Sequence, residues 1–169
     1  MGAFLDEMET CVPALRRYAR ALTRDPDRAD DLVQDCLERA IRKSALFRPR
    51  GPLRAWLFTI LLNLYRNSAR AERRHAVMPL EGMTTEPSVP PAQPAHVALV
   101  EMARAIDALP IDQREALLLV VLEEMPYAQA ADVLGIPIGT LMSRLGRARA
   151  ALRTMTGGDP QAPRLRTVK

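Results

Sequence analysis

Apolar residues recur along most of the chain at the spacing of an α-helix, and no long stretch alternates as a strand would. Three helices are predicted in the first half. We expect the first to open at Pro13, whose missing N–H is harmless at a helix start, and the second at Pro26, capped by Asp25. The third is predicted to begin at Pro52, on an apolar stripe that places Trp56 in the core.

Between 77 and 96 the helical pattern stops, and five prolines and a glycine appear instead. This composition predicts a mobile linker between two domains. Helical periodicity resumes at Leu99 and is stopped by Pro110. Asp112 with Glu115 resembles a capping box at the start of the next helix.

The sequence therefore predicts an all-α fold with two small helical domains. These domains span 10–76 and 97–155, a proline-rich linker joins them over 77–96, and a basic tail follows at 156–169. We expect the free chain to be monomeric, with its two domains tumbling semi-independently on the linker.

Charges are sorted along the chain, although the formal net charge is only +4. Nine basic residues stand against one acidic residue in 42–74, and seven stand against one in 137–169. The block 101–136 carries seven acidic residues against two basic ones, and 1–41 carries nine against six. Two basic blocks indicate two contacts with one polyanion, and the acidic faces are left for a different partner.

Several classes of protein are disfavoured. Cys11 and Cys36 lack the spacing of a zinc site and are expected to be buried thiols in a reducing cytoplasm, so we predict no metal and no cofactor. Neither a secretion signal nor an apolar run long enough for membrane insertion is present in the sequence, which favours a cytoplasmic location. His75 and His96 belong to no acid–base constellation, so an enzyme is the weakest reading.

Residues 126–149 are typical of a helix-turn-helix. A tight turn at Gly135 separates two short helices, and Ala131 and Leu141 are the small and apolar residues that allow them to pack closely. The second helix is apolar on one side and basic on the other, without a single acid, which suits a DNA major groove. Residues 47–74 interleave four of the seven aromatics with arginines, which is the chemistry of a single-stranded nucleic-acid surface.

These segments resemble one family, the extracytoplasmic-function (group IV) sigma factors of the sigma-70 family. Residues 21–25 and 29–35 are similar to its core RNA polymerase docking signature, and 49–58 to its minus-10 region. Residues 108–116 and 135–149 are similar to its minus-35 region. The resemblance implies a transcription initiation factor whose partners are core RNA polymerase, promoter DNA and an anti-sigma factor.

The resemblance also implies three groups of site residues. The polymerase-binding group is Asp30, Asp31, Leu32, Val33, Gln34 and Asp35. The minus-10 group is Phe47, Arg48, Arg50, Arg54, Asn63, Arg66, Asn67, Arg70 and Arg74, of which the loop from Phe47 would capture a flipped base. The minus-35 group is Thr140, Met142, Ser143, Arg144, Arg147 and Arg149. Met142, Ser143, Gly146 and Arg147 would approach base edges, and Arg144 and Arg149 would hold phosphates. Gly146 and Met142 depart from the family pattern, where larger or basic side chains are usual, so the promoter sequence is not deducible.

Two alternative functions remain. A sigma-like mimic that sequesters an anti-sigma factor would need no DNA contacts, so the basic helix and the 47–51 loop argue against it. A helix-turn-helix repressor would explain 126–149 but would leave 27–74 without a role.

Overall fold

The computed structural model describes residues 2–47, 51–75 and 94–157. The regular structure in these ranges is entirely helical, which confirms the all-α prediction. The α-helices are α1 (Gly2–Thr23), α2 (Pro26–Arg42), α3 (Leu53–His75), α4 (Pro94–Asp107), α5 (Ile111–Leu117), α6 (Tyr127–Leu134) and α7 (Ile138–Met155). A 3-10 turn over Ser44–Leu46 follows α2, and a π-helical turn over Leu118–Leu122 continues α5.

Helix α1 begins at Gly2, well before the predicted start, and Pro13 lies inside it. The prediction of a start at Pro13 was wrong because the apolar stripe extends further towards the N-terminus. Met8 and Cys11 are buried on the same face as Leu15, and this packing outweighs the single backbone hydrogen bond that an internal proline removes.

The start of α2 is as predicted. The carboxylate Oδ1 of Asp25 accepts hydrogen bonds from the backbone N–H groups of Asp27, at 2.9 Å, and Arg28, at 3.1 Å. Two of the donors that a helix start leaves unpaired are thereby satisfied, and Pro26 needs no such partner.

Helices α1, α2 and α3 pack together as the first half of the molecule. Tyr18 and Phe58 are fully buried at its centre, with an edge-to-face contact of 5.2 Å between ring centroids. Trp56 was predicted to be a core residue, but it is only half-buried at the margin of this core. Its ring lies 5.0 Å from that of Phe47, so the two aromatic side chains pack against each other at the start of α3.

Helices α4 to α7 form the second half, where α5 packs on α7 and α6 on α7. Helix α4 begins at Pro94, three residues before the predicted domain start, because proline is well tolerated in the first turn of a helix. Residues 77–93 of the predicted linker and residues 158–169 of the predicted tail lie outside the described residues, so both predictions stand untested. The capping box at Asp112 and Glu115 is absent: Pro110 caps α5 without a side-chain bond.

The two halves are in contact with each other. Helix α3 packs against α6, and α1 packs against the π-helical turn. Buried apolar residues from both halves form one continuous cluster, so the described structure is a closed arrangement rather than two separate bodies. Within the described ranges, no helix is both long and apolar enough to cross a membrane.

Candidate nucleic-acid and polymerase interfaces

The helix-turn-helix consists of α6, the turn at Gly135 and α7. Gly135 adopts a left-handed conformation, with φ of 68°, which a residue with a Cβ adopts only at a cost. On the inner side of α7, Leu141, Leu145 and Ala148 are buried, and Ala131 of α6 is buried opposite them. This packing fixes which side of α7 faces outward, as the sequence predicted.

The outward side of α7 presents Met142, Ser143 and Arg147, all of them exposed. Gly146 belongs to the same side, and a Cβ added there would meet no atom within 4 Å. The guanidinium of Arg147 makes only a long bond, 3.4 Å, to the Ser143 carbonyl of its own helix. The Ser143 hydroxyl donates a 3.0 Å bond to the Gly139 carbonyl, so the internal bonds of these exposed side chains go only to backbone carbonyls of α7.

The remaining residues of the predicted minus-35 group are partly engaged within the protein. Arg144 lies 3.4 Å from the Asp112 carboxylate, and its side chain is only 20% exposed. Arg149 donates a hydrogen bond of 3.2 Å to the Tyr127 hydroxyl, and Thr140 is half-buried. Arg144 and Arg149 are therefore engaged with groups of the second half, and their predicted phosphate contacts stay predictions.

The predicted minus-10 group divides into exposed and engaged residues. Exposed positions on α3 are Asn63, Asn67, Arg70 and Arg74. Arg48 and Arg50 lie outside the described residues. Phe47 is half-buried against Trp56 and against Phe4 of α1, with the Phe4 and Phe47 ring centroids 5.9 Å apart.

Arg54 and Arg66, by contrast, are bound to carboxylates from the second half. Arg54 Nη2 lies 2.8 Å from Oε2 of Glu123, and Arg66 Nη2 lies 2.6 Å from Oε2 of Glu115. The hydrogen bond to Glu115 raises the pKa of Arg66 above its ordinary value. Both arginines are therefore occupied in the closed arrangement.

The exposed face of α2 carries the polar residues of the predicted polymerase-binding group: Asp30, Asp31, Gln34 and Asp35. Asp30 lies 3.6 Å from both Arg16 and Arg20 of α1. Leu32 and Val33, from the same predicted group, are buried in the first half. They support the acidic face from beneath and cannot form part of its surface.

Two family models match the chain: the Sigma2 domain of PhyR over residues 8–62 and Sigma-70 region 4 over residues 99–152. The chain is 43% identical to the ECF RNA polymerase sigma factor EcfG of Rhodopseudomonas palustris (strain TIE-1) over 151 residues, which cover 89% of this chain and 83% of that protein. The chain belongs to the ECF RNA polymerase sigma factors.

Further similarities also cover most of this ECF sigma factor. It is 35% identical to the ECF RNA polymerase sigma factor SigM of Mycobacterium tuberculosis (strain ATCC 25618 / H37Rv), covering 85% of this chain and 71% of that protein. Its structure is similar to that of the sigma factor RpoE in the complex with the anti-sigma factor NepR from Bartonella quintana. The TM-score is 0.79, the identity is 34%, and the match covers 94% of this chain and 99% of that one.

Sequence reasoning missed three functional candidates in this sigma factor: Arg17, Glu115 and Glu123. Arg17 was not distinguished from its neighbours on α1, and Glu115 was assigned to a cap. The acidic block 101–136 was predicted to bind a different partner. In the structure, the carboxylates of Glu123 and Glu115 from this block form ion pairs with arginines of the first half of the same chain. The opposite charges of the 42–74 and 101–136 blocks were the signal that could have indicated it.

Both thiols of the sigma factor are free and buried, as predicted. Cys36 donates a hydrogen bond of 3.4 Å from Sγ to the Leu57 carbonyl, and burial raises its pKa to about 12. A group this hard to ionise is poorly suited to nucleophilic chemistry.

Proposed function

We propose that this protein binds core RNA polymerase and directs promoter recognition, promoter melting and transcription initiation as a group IV sigma factor. It acts in the cytoplasm as a non-catalytic subunit, under the control of an anti-sigma factor. The observation that carries the proposal is the geometry of α7: its outward side exposes Arg147, Met142 and Ser143, and its inner side is well packed. A helix of this kind, held by a tight turn, is the reading element of helix-turn-helix proteins.

The first half supplies the second DNA contact in this proposal. The exposed Asn63, Asn67, Arg70 and Arg74 line α3, and the aromatic ring of Phe47 lies beside the start of that helix. Cations and stacking rings together suit an unpaired strand, because stacking on a ring is available to every base. The loop 47–51 would hold a flipped base of the minus-10 element.

The acidic face of α2 is the proposed docking surface for polymerase. Asp31, Gln34 and Asp35 are exposed at positions i, i+3 and i+4, and therefore lie side by side on the helix surface. An acidic face on a DNA-binding protein repels phosphate, so a protein partner is the more suitable ligand.

An anti-sigma partner is supported by two observations. RpoE of Bartonella quintana, similar over nearly the whole chain, was solved with the anti-sigma factor NepR. In addition, α4 leaves Val97, Leu99 and Met102 exposed on the second half, and exposed apolar residues of this size favour a protein contact.

The test is transcription by reconstituted holoenzyme. Purified chain is added to core RNA polymerase with a promoter obtained by selection from random duplexes, and run-off transcripts are measured with and without the chain. We expect specific transcripts only when the chain is present. No transcripts from any selected duplex would contradict the proposal.

A second experiment tests the minus-10 loop. Phe47→Ala and Arg50→Ala should each reduce promoter melting, measured as permanganate reactivity of unpaired thymines, and leave binding to minus-35 duplex unchanged. Arg42→Ala is the matched control for Arg50→Ala, because Arg42 is an exposed arginine whose partner is the neighbouring Glu38. Melting equal to that of the parent in both Phe47→Ala and Arg50→Ala would remove the loop from the proposal.

A second candidate function is an anti-sigma-binding mimic. It is favoured by the match of residues 8–62 to the Sigma2 domain of PhyR, because PhyR of Bartonella quintana is an anti-anti-sigma factor that was solved in complex with the anti-sigma factor NepR. A mimic would bind an anti-sigma factor yet leave core polymerase inactive. The run-off experiment therefore separates the two functions.

A further inference from the structure

Beside the shared apolar cluster, the contact between the two halves of the chain includes arginines on one side and buried carboxylates on the other. The side chain of Glu123 is fully buried. Arg17 donates two parallel hydrogen bonds to its carboxylate, from Nε to Oε1 at 3.0 Å and from Nη2 to Oε2 at 2.8 Å. Arg54 adds bonds from Nη2 to Oε2 of Glu123, at 2.8 Å, and to its backbone carbonyl, at 2.9 Å. One carboxylate is thus held by two guanidinium groups.

A second contact of the same kind lies further along α3. Arg66 holds both carboxylate oxygens of Glu115, and the Tyr18 hydroxyl donates a 3.1 Å bond to the Glu115 carbonyl. Arg54 and Arg66 are twelve residues apart on one helix, or about 18 Å along its axis. The two contacts are therefore separate anion sites on the first half.

The backbone around Glu123 is arranged so that its side chain points into the first half. Glu123 caps the C-terminal end of the π-helical turn, and the next residue, Glu124, takes a left-handed conformation with φ of 50°. Such a conformation is uncommon for a residue with a Cβ and persists where the surrounding contacts demand it. This strained conformation lies directly after Glu123, whose side chain is bound by Arg17 and Arg54.

The arginines keep part of their surface open while the carboxylates do not. The side chains of Arg17, Arg54 and Arg66 are 50%, 36% and 30% exposed, against 0% for Glu123 and 4% for Glu115. Removing the second half would uncover three guanidinium groups fixed to α1 and α3. Guanidinium binds a phosphate with the same two-pronged geometry that it uses for a carboxylate.

We propose that the first half carries two binding sites for backbone phosphates of the single-stranded promoter strand, one formed by Arg17 with Arg54 and the other by Arg66. Glu123 occupies the first site in the closed chain, and Glu115 occupies the second. The inference rests on the proposed function, and it adds Arg17 to the DNA-binding residues. Closed chain and strand-bound chain exclude each other, because a carboxylate and a phosphate compete for the same guanidinium groups.

This competition gives the free chain a low affinity for DNA. Only molecules whose halves have separated expose the two sites, so the observed affinity is the intrinsic affinity multiplied by the open fraction. Docking on polymerase would hold the halves apart and uncover both sites together.

The test measures binding of the full chain to a fluorescently labelled, mixed-sequence single-stranded DNA by anisotropy, at about 50 mM salt, where phosphate contacts are strong. The variant Glu115→Gln with Glu123→Gln keeps the side-chain shapes and removes both charges. We expect it to bind the strand at least about fivefold more tightly than the parent, the lower end of coupling between linked sites. Glu124→Gln is the matched control, since Glu124 is exposed and adjacent.

A second pair of variants examines Arg17 itself. In the Glu115→Gln, Glu123→Gln background, Arg17→Ala should lower strand affinity, and Arg16→Ala should not, because Arg16 lies against Asp30 on α2. Circular dichroism checks folding, and Glu115→Gln alone replaces the double variant should that one lose helicity. Unchanged or weaker strand binding by the charge-neutral variant overturns the inference, as does equal binding by the Arg17→Ala and Arg16→Ala variants.

The parent chain is assayed in parallel for run-off transcription with core polymerase. A parent that initiates transcription while the glutamine variants bind DNA no better contradicts the inference and leaves the proposed function intact. A parent that fails with polymerase, while the glutamine variants gain strand affinity through Arg17, contradicts the proposed function alone.

Discussion

Replacing Arg147 by alanine isolates sequence reading from folding in the recognition helix. The side chain is exposed, and its bond to the Ser143 carbonyl is long, so its loss should change the free energy of unfolding by no more than about 0.5 kcal/mol. A two-pronged arginine contact to a base edge contributes about 1–3 kcal/mol of discrimination. We therefore expect holoenzyme binding to fall about 5- to 150-fold, with relaxed preference at one base pair.

Arg144→Ala is the informative comparison, because Arg144 is mostly buried and lies 3.4 Å from Asp112. Its loss should weaken binding equally for all sequences and lower the salt dependence by about one phosphate contact. The half-exposed ion pair that it also breaks contributes no more than about 1 kcal/mol to stability.

The assay places each variant in holoenzyme and measures its affinity for a set of duplexes that carry every single-base change in the minus-35 element. Thermal unfolding followed by circular dichroism reports stability separately. The reasoning is refuted if Arg147→Ala weakens all duplexes uniformly, or if Arg144→Ala changes the base preference while Arg147→Ala does not.

Three further outcomes are expected. Asp31→Arg with Asp35→Arg should abolish capture of core polymerase at unchanged helicity, because both side chains lie on the exposed face of α2; normal capture would disprove this docking surface. Asp25→Ala should lower the free energy of unfolding by about 1 kcal/mol, since two capping bonds are lost, whereas an unchanged denaturation midpoint would contradict the cap. Cys36, whose pKa is raised to about 12 by burial, should resist iodoacetamide at pH 8 until urea unfolds the chain. The unfolded thiol ionises near pH 8.5 and the folded one does not, so this thiol's contribution to stability should fall as the pH rises from about 8.5 towards 12.

Local signals predicted the helix boundaries well where one or two residues decide the conformation. The Asp25 cap and the left-handed turn at Gly135 depend on backbone groups within a few residues, so they can be read from the sequence. Pro13 misled the prediction because a proline is compatible both with a helix start and, at a cost, with a helix interior that is well packed.

Contacts between residues far apart in the chain were not predictable in the same way. Glu115 matched a local capping pattern, but its partner, Arg66, lies 49 positions away. Leu32 and Val33 belong to the same continuous sequence signature as the exposed Asp31. Only the packing of α2 shows that the first two are buried and that Asp31 is on the surface. The closed arrangement depends on how the basic block 42–74 and the acidic block 101–136 contact each other in space. The order of these blocks along the chain does not determine that contact.

The empty space over Gly146 bears on how such a protein changes its targets over generations. A Cβ introduced there meets no atom within 4 Å, so the packing leaves room for a side chain at this position. Replacing glycine inside a helix also gains about 0.5–1 kcal/mol, because the unfolded chain loses freedom. A duplicated gene could therefore acquire a new promoter preference in a single substitution that stabilises the fold, and the two copies could diverge in the genes they serve while every buried residue stays the same.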